Sequence, residues 1–213
     1  MSIQHHPADE LLLSYAAGAT DEAMALVLAT HLALCPQCRR TVARAEAAGG
    51  ALLESGGSAP LASDALQAVL SRLDEPVRKA TPVPRAPSKA PEPLRSYIGG
   101  DLDAVRWTKI AGGISFKPLF QRGSARAQLI RSRAGAGVGL HSHRGEEFTL
   151  CLTGGYTDET GRYARGDLQS TTPDILHRPI ADEGEDCIVL AVSDAPLLFR
   201  NFGIALIAKW FGF

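Results

Sequence analysis

The stretch His31-Leu-Ala-Leu-Cys35-Pro-Gln-Cys38 decides the fold of the first part of the chain, because it places three metal-ligand side chains in an H-x3-C-x2-C spacing. Pro36 cannot donate a helical hydrogen bond and pushes Cys35 out of the α region. One helix should therefore end near Cys35, and another should begin at Pro36. His31 then lies in the last turn of the first helix, and the two cysteines flank the first turn of the second. All three side chains can point into one wedge, which suits a single zinc ion.

A closed structural zinc site needs a fourth ligand, usually a thiolate or an imidazole. His5 and His6 are the only other histidines before residue 141. Pro7 fits a first helical position, so His6 lies just outside a helix start that holds it in place, whereas His5 lies further into the terminus. The predicted ligand set is therefore His6, His31, Cys35 and Cys38. The alternative is a disulfide or two buried thiols, which is less favoured because the sequence shows no secretory context.

A histidine before the first helix, followed by H-x3-C-x2-C across a helix junction, resembles the zinc-binding anti-sigma domain. In that family the module holds an extracytoplasmic-function sigma factor inactive. The resemblance implies that helices of this region pack between sigma-factor domains and cover their polymerase-binding surfaces. It also implies a small helical domain of about four helices.

Two later helices are predicted from the sequence of the same region. The third helix should run from Pro36 and stop at Gly49-Gly50. A fourth helix should follow, since Leu66, Val69, Leu70 and Leu73 recur at helical spacing. Periodicity alone leaves open whether this apolar stripe faces a core or a partner protein.

Length and composition restrict the classes of protein that the chain can represent. Its 213 residues are long for one small domain and sufficient for two. A net charge of −1 argues against a basic surface for direct nucleic-acid binding. No signal-peptide core is present at the N-terminus, and the apolar run 196–213 is interrupted by Arg200 and Lys209. We expect a cytoplasmic protein without membrane contact, in which that run is a packed terminal element.

Residues 76–93 contain six prolines and almost no bulky apolar side chains. Such a composition cannot bury a core and favours an extended, semi-rigid spacer. A spacer of this kind should make few tertiary contacts, so the helical domain should fold without the rest of the chain.

Beyond Leu94 the pattern changes to short apolar runs separated by turn residues, which predicts an all-β sandwich or barrel. In one strand, residues two apart share a face, so His141, His143 and Glu147 should project to the same side. This holds provided that a turn near Gly145 does not break the alternation. Two histidines and a glutamate in register predict a metal site.

The segment Gly135-x5-His141-x-His143-x3-Glu147-x6-Gly154 resembles the first motif of the cupins, small β-barrels that hold a metal ion inside the barrel. The second cupin motif is partly present, with Gly166-Asp167 at a strand start and then Pro173. The resemblance places the last metal-binding histidine at His177, although the spacing from Pro173 is one residue short. A three-histidine, one-glutamate set suits zinc, iron, manganese or nickel. The resemblance of the whole chain favours zinc.

Two further cysteines lie in the predicted β domain. Cys151 has the same strand parity as the predicted ligands, and Cys187 begins a late strand, so both could face the barrel interior as redox or sensing residues. A buried structural thiol is the alternative, and it is favoured more for Cys151 than for Cys187, because a strand end is easier to reach.

The full chain resembles the ChrR-type anti-sigma factors. The fold is then multidomain α + β, with a zinc-binding anti-sigma domain at 1–78, a Pro-rich linker at 79–95 and an all-β cupin barrel at 96–213. The resemblance implies a cytosolic inhibitor with two zinc ions. It would sequester an extracytoplasmic-function sigma factor and release it on singlet oxygen or related oxidants such as organic hydroperoxides. The alternative is a metal-dependent cupin enzyme, of dioxygenase or isomerase type, with a helical regulatory domain.

Overall fold

The computed structural model describes residues 2–73 and 88–195, together with the backbone of 197–199. Helices dominate the first part of the chain and strands the second. The α-helices are α1 (Asp9–Ala16), α2 (Glu22–Leu34), α3 (Pro36–Ser55), α4 (Ala65–Ser71) and α5 (Glu92–Ile98), followed by a 3-10 turn at Leu102–Ala104. The prediction of about four helices followed by an all-β domain is confirmed.

The strands of the β domain pair antiparallel in three sheets. They are β1 (Thr108–Lys109), β2 (Ile114–Arg122), β3 (Ala125–Ser132), β4 (His141–His143), β5 (Glu147–Thr153), β6 (Gly155–Asp158), β7 (Gly161–Ala164), β8 (Leu168–Thr171), β9 (Ile180–Ala181), β10 (Cys187–Ser193) and β11 (Leu197–Phe199). The largest sheet has the order β1-β2-β3-β10-β5-β8, and the smaller sheets are β11-β4 and β7-β6-β9. The short strands β4 and β9 lie outside the large sheet. Strand β4 carries two of the side chains discussed below, His141 and His143.

The helix junction at Cys35 follows the prediction. Cys35 has an extended backbone (φ −104°, ψ 104°), ends α2 and precedes Pro36, the first residue of α3. Its Sγ accepts the Cys38 backbone N–H at 3.4 Å, which caps the new helix. At the other end of the region, α1 begins at Asp9 with Ala8 as its cap. Pro7 therefore lies before the helix, whereas it was predicted at the first helical position.

Helix α3 does not stop at Gly49-Gly50 as predicted, but continues to Ser55. A glycine inside a helix costs only about 0.5–1 kcal/mol relative to alanine. The flanking residues Ala47, Ala48 and Ala51 are strong helix formers, and extending an existing helix is far easier than nucleating one. The helix ends where Gly56 adopts an extended conformation (ψ 155°).

Helix α2 lies at the centre of the molecule and packs against both the other helices and the β domain. Val27, Leu28 and His31 are completely buried. The buried apolar residues of α2 belong to one continuous cluster with Leu129 of β3 and Leu150 of β5. A helix that is apolar on all sides needs partners on all sides, and here the sheet supplies one of them. The helices and the β domain therefore share a core.

The Pro-rich spacer was predicted to be extended and to make few contacts, and this is wrong for its described part. Residues 79–87 lie outside the described residues. In the following segment α5 begins at Glu92, and Ala90 and Leu94 are buried in the shared core. The Asp101 carboxylate accepts the backbone N–H groups of Lys89 and Ala90. Prolines are compatible with the first turn of a helix, so Pro-rich sequence did not exclude one. The domain boundaries stay predictions, and the one at 95 falls inside α5.

The terminal run 196–213 lies largely outside the described residues. The backbone of β11 pairs with β4, so that Leu197 is opposite His143 and Phe199 is opposite His141. In the described part of the chain, none of the helices is both long enough and apolar enough to cross a lipid bilayer.

The shared core predicts that a cavity in α2 destabilises the whole protein. Leu28→Ala should lower the free energy of unfolding by about 2–5 kcal/mol, since Leu28 is 0% exposed and its neighbours cannot fully collapse. The exposed Leu13→Ala (53% exposed) should cost less than about 0.5 kcal/mol. Denaturant unfolding followed separately by helical and near-ultraviolet circular dichroism measures both. Loss of helical signal at lower denaturant with an unchanged near-ultraviolet transition would contradict a shared core.

Candidate metal centres

The first cluster of potential ligands forms around the α2–α3 junction. His31 comes from α2, Cys35 from the junction, Cys38 from the first turn of α3, and His6 from the segment before α1. His31 Nε2 lies 3.3 Å from Cys38 Sγ, and His6 Nδ1 lies 3.4 Å from Cys38 Sγ and 3.5 Å from Cys35 Sγ. One donor atom from each residue lies within 4.8 Å of the others. We call this cluster site 1.

The donor separations in site 1 fit a tetrahedral metal ion. Zinc binds sulfur at about 2.3 Å and nitrogen at about 2.0–2.1 Å, so tetrahedral ligands lie roughly 3.3–3.8 Å apart. The observed separations of 3.3, 3.4 and 3.5 Å fall in this range. All four cysteines among the described residues are free thiols, which disfavours the disulfide alternative. Two sulfur and two imidazole donors in a buried wedge suit a structural zinc ion, and no open position for a substrate is needed.

The protonation states of site 1 follow from burial. Burial lowers the pKa of His31 to about 4, although the hydrogen bond to the Gly166 carbonyl opposes the shift. His31 is therefore neutral near pH 7, and Nδ1 must carry the proton because the carbonyl at 2.9 Å can only accept. Nε2 then presents a lone pair to the metal position. Burial also raises the pKa of Cys38 to about 12, with a further contribution from the hydrogen bond to Cys35, so metal binding must displace a proton.

The β domain supplies the outer partners of site 1, that is, the groups that hydrogen-bond to His31 and to the segment that carries His6. The Gly166 carbonyl that orients His31 belongs to the turn between β7 and β8. In the same turn, one Asp167 carboxylate oxygen accepts the backbone N–H groups of Gln4 at 2.6 Å and His5 at 2.9 Å. The Leu168 N–H donates to the His5 carbonyl at 3.1 Å. The N-terminal segment that carries His6 is therefore held against the β domain by three hydrogen bonds.

The neighbouring histidines His5 and His6 have different surroundings. The His6 ring faces the sulfur atoms of site 1, whereas the His5 ring packs on Tyr163 of β7 with ring centroids 4.4 Å apart. The expectation that His6 and not His5 joins the cluster agrees with this geometry. The cause is the pairing of the His5 backbone with Leu168, which the sequence did not reveal.

This contrast predicts unequal effects of the two substitutions. His6→Ala should weaken metal retention at site 1 by more than about tenfold, because it removes a donor atom, whereas His5→Ala should change it by less than about threefold. Chelator competition on the full-length protein, with the metal content of each variant as the starting point, measures both. Equal losses in the two variants would remove His6 from the ligand set.

The second cluster lies in the β domain and joins His141 and His143 of β4, Glu147 of β5 and His177. His177 precedes β9 and forms a β-bridge with His141. His143 Nε2 lies 3.0 Å from His177 Nε2 and 3.6 Å from Glu147 Oε2. One donor atom from each of the four buried residues lies within 4.8 Å of the others. We call this cluster site 2.

The route by which the first three residues of site 2 meet differs from the prediction. One continuous strand was expected, but β4 and β5 are separate strands in different sheets, with residues 144–146 between them. Gly145 is packed closely against Asp194 and Ala195, so the chain bends there. Within β5 the predicted alternation holds. Phe148, Leu150 and Leu152 enter the shared core, and Glu147 and Thr149 line the cavity on the other face.

Outer hydrogen bonds orient the histidines of site 2. His141 Nδ1 donates to the Gly139 carbonyl at 2.8 Å, and His177 Nδ1 donates to Asp158 Oδ2 at 2.7 Å. Both bonds leave Nε2 unprotonated in a neutral ring, as metal-binding histidines require. Burial would raise the pKa of Asp158, but hydrogen bonds from His177, Thr160 and Gln169 lower it, so that this carboxylate stays ionised. Among the described residues, the buried Nδ1 of His143 has no hydrogen-bond partner.

The electrostatics of site 2 favour a bound cation. Burial lowers the pKa of His141 to about 4 and that of His143 to about 3, so both rings are neutral at pH 7. Burial also raises the pKa of Glu147 to about 7, because the carboxylate has lost its water without gaining a full counter-charge. A divalent ion at the centre would supply that charge. The donor set fits zinc, iron, manganese or nickel.

A cavity of about 270 Å³ opens beside site 2. His141, Glu147 and His177 line it, and most of its remaining wall is apolar, including Ile114, Ile130, Val138 and Val189. Cys187 also lines the cavity, as the prediction for this residue required. A small apolar molecule that enters the cavity therefore meets both the metal ligands and a thiol.

Cys151 lies in a second buried cluster with Cys187. Its thiol is completely buried, and the hydrogen bond to Cys187 and burial both raise its pKa far above the usual range. Cys151 does not line the cavity wall. Its environment suits a structural thiol, and Cys187 is the cysteine with access to the cavity.

Sequence reasoning found the ligand-type side chains of both sites and missed their outer partners. Asp158 is the last residue of β6, and nothing in its sequence environment marks it as the partner of His177. Gly166-Asp167 was recognised only as a strand start, because the contact with residues 4–6 spans more than 160 positions. The one usable signal in the sequence was the glycine at position 166, because glycine is typical of tight turns. In the structure Gly166 has a φ of 94°.

The chain thus combines a helical region that carries a two-cysteine, two-histidine cluster with a β domain that carries a three-histidine, one-glutamate cluster, the donor set of a metal-binding cupin. A family model described as the ChrR cupin-like domain matches residues 96–195. The anti-sigma-E factor ChrR of Cereibacter sphaeroides is 41% identical over 211 residues, which cover 99% of both chains. A chain in the crystal structure of Rhodobacter sphaeroides SigE in complex with the anti-sigma ChrR matches at 40% identity and a TM-score of 0.81, covering 90% of this chain and 100% of that chain. The chain belongs to the ChrR family of anti-sigma factors, which is regulatory, in contrast to the enzyme alternative.

Proposed function

We propose that this protein is a cytoplasmic anti-sigma factor that binds an extracytoplasmic-function sigma factor and holds it inactive until an oxidant is sensed. Support for the partner comes from the relative of known structure, which was crystallised with SigE and aligns over 90% of this chain. The observation in this chain that carries the proposal is an exposed apolar surface on its helices.

The exposed apolar surface lies on α4 and the end of α3. Helix α4 has no buried residue, and its Leu66 and Val69 are 68% and 61% exposed. Leu52 and Leu53, near the end of α3, are also exposed. The sequence left open whether the stripe on α4 faces a core or a partner, and a stripe without a core requires another protein to cover it. We call these exposed side chains of α3 and α4 the helical apolar face.

An amphipathic helix of this kind binds by inserting its apolar side chains into a groove of the partner. Because none of the α4 residues is buried by the part of the chain that the structure describes, α4 can dock on a sigma factor without unfolding the shared core. Site 1 lies at the opposite end of α3, at its first turn. A zinc ion there would fix the angle between α2 and α3 and so the position of the helical apolar face.

The sensor role belongs to site 2 and its cavity. The apolar walls admit small, weakly polar oxidants such as singlet oxygen or an organic hydroperoxide, and lead them to the imidazoles of His141 and His177. Cys187 offers an oxidisable thiol in the same space. A metal ion in site 2 would hold the four ligand side chains together, and oxidation of any of them would weaken that arrangement. We propose zinc in both sites, two ions per chain.

Polar substitutions in the helical apolar face should weaken binding of the sigma factor without unfolding the protein. In Leu66→Ser/Val69→Ser, two apolar anchors are removed, which should raise the dissociation constant for the sigma factor by about 10–100-fold. Leu176→Ser, which changes an exposed leucine of the β domain, should leave the constant unchanged within about twofold. Titration calorimetry with the purified sigma factor measures both, and circular dichroism checks the fold. Unaltered affinity in the double variant would exclude α4 from the interface.

If site 2 is the sensor, a variant of site 2 should lose the response to oxidant while it still inhibits the sigma factor. His143→Ala removes a ligand of site 2 that does not touch the helical apolar face. Basal repression of a sigma-dependent reporter should persist in cells, while induction by singlet oxygen or by an organic hydroperoxide should fall at least about fivefold. Asp174→Asn, an exposed change in the loop before His177, serves as control. Normal induction in His143→Ala would place the sensor elsewhere, and turnover of a small molecule by the purified metal-loaded protein would favour an enzyme.

A further inference from the structure

One short segment of the β domain contacts the outer hydrogen-bond partners of both metal centres. The segment is residues 166–169, at the end of the β7–β8 turn and the start of β8, and we call it the coupling segment. Its first two residues face site 1 through the Gly166 carbonyl and the Asp167 carboxylate. Its last residue, Gln169, faces site 2.

The connection to site 2 runs through a single oxygen atom. Gln169 Nε2 donates to Asp158 Oδ2 at 2.6 Å, and His177 Nδ1 donates to the same oxygen at 2.7 Å. The other end of the amide is fixed too, because Gln169 Oε1 accepts the Tyr156 hydroxyl at 2.9 Å. Gln169 is buried, so breaking these hydrogen bonds carries the desolvation cost of a buried amide. The orientation of Gln169 is therefore tied to that of a site 2 histidine.

The connection to site 1 runs through Asp167. Its Oδ1 accepts two backbone N–H groups of the N-terminal segment, and its Oδ2 accepts the Ala164 N–H at 2.8 Å. Asp167 is buried, so the loss of these bonds leaves a buried carboxylate oxygen without its donors. Only Leu168, the first residue of β8, lies between Asp167 and Gln169, and an extended step from one to the other spans about 7 Å. A displacement of the segment at one end is therefore carried to the other end.

We propose that the coupling segment makes the metal affinities of the two sites interdependent, with Asp167 as a positioning residue for site 1 and Gln169 as the link to site 2. The proposal rests on the proposed occupancy of both sites by zinc. A metal ion on His177 strengthens the hydrogen bond that its Nδ1–H gives to Asp158, because the metal polarises the ring. Asp158 then holds Gln169, and the segment holds residues 4–6 and His31 in the geometry that binds zinc.

Thermodynamic linkage sets the size and symmetry of the effect. If a metal ion in site 2 raises the affinity of site 1 by some factor, a metal ion in site 1 must raise the affinity of site 2 by the same factor. Coupling of this kind commonly reaches about 5–150-fold. Since structural zinc sites bind tightly, such a factor changes the rate of zinc loss from site 1 while leaving the site filled at equilibrium.

The first experiment tests Asp167 in the full-length, zinc-loaded protein. Asp167→Ala should raise the rate of zinc transfer from site 1 to a chromogenic chelator by about 10–100-fold, the usual cost of losing an outer partner. Asp186→Ala is the control. Like Asp167, Asp186 accepts a backbone N–H, here that of Ala134, and it also accepts the Nε–H of Arg131, but it has no hydrogen bond to the N-terminal segment. Its rate should stay within about twofold of the parent protein. An equal rate in Asp167→Ala and the parent would overturn the role of Asp167.

The second experiment measures the coupling itself. The zinc dissociation constant of site 1 is compared between the parent protein and His143→Ala, in which site 2 is empty. The constant of site 2 is compared between the parent protein and Cys35→Ser/Cys38→Ser, in which site 1 is empty. The two ratios should each exceed about fivefold and be equal, and both should fall towards one when Gln169→Met is added.

Each outcome of the second experiment is decisive. The proposal is overturned if the two ratios of zinc dissociation constants equal one in the protein that contains Gln169. It is also overturned if the ratios stay above one after Gln169→Met. Neither result contradicts the proposed binding of two zinc ions or of a sigma factor. A parent protein that binds fewer than two zinc ions would overturn the proposed occupancy and the coupling together. If circular dichroism shows that Gln169→Met is unfolded, Gln169→Asn replaces it. The amide is then one methylene too short to reach Asp158, and coupling should again be lost.

Discussion

The structure depends on a buried imidazole that has to satisfy both of its ring nitrogens. His31 is completely buried in the last turn of α2, where neither nitrogen can find water. One nitrogen faces the sulfur atoms at the helix junction, and the other donates to the Gly166 carbonyl of the β domain. Leaving either nitrogen unpaired would cost about 1–3 kcal/mol. The histidine that organises the helical region is therefore also the point at which that region is fastened to the β domain.

The two metal centres use the same physical chemistry with different donors. In each, burial keeps one imidazole neutral, that of His31 in site 1 and that of His141 in site 2, and a hydrogen bond to a backbone carbonyl fixes which nitrogen carries the proton. Site 1 adds two thiols and is closed by helices, which suits a structural ion. Site 2 adds a carboxylate and adjoins a cavity, so its ligands can be reached by a small molecule. The closed centre therefore lies at the α2–α3 junction, and the accessible centre lies in the β domain.

The relation between the domains was the main feature that sequence reasoning misjudged. Six prolines indicated a free spacer, yet Leu94 is buried and α5 packs against α2. A high proline content shows that a segment lacks backbone N–H donors. It does not show whether the few apolar side chains of that segment are buried in a core. The helix end at Gly49-Gly50 was misplaced for a related reason, since a local preference of about 1 kcal/mol is outweighed by the helix on either side.

The sequence by itself determined the two sets of ligand-type residues, the helix junction at Pro36 and the change from helices to strands. Most of these depend on residues a few positions apart, where local geometry decides which side chains share a face, whereas His177 was assigned through the resemblance to the cupins. Only the tertiary structure decided which partners orient those ligands, because Gly166, Asp167 and Asp158 reach their histidines across long stretches of sequence. It also decided that the stripe on α4 faces outward, because periodicity gives a helix an apolar side but does not place anything against it.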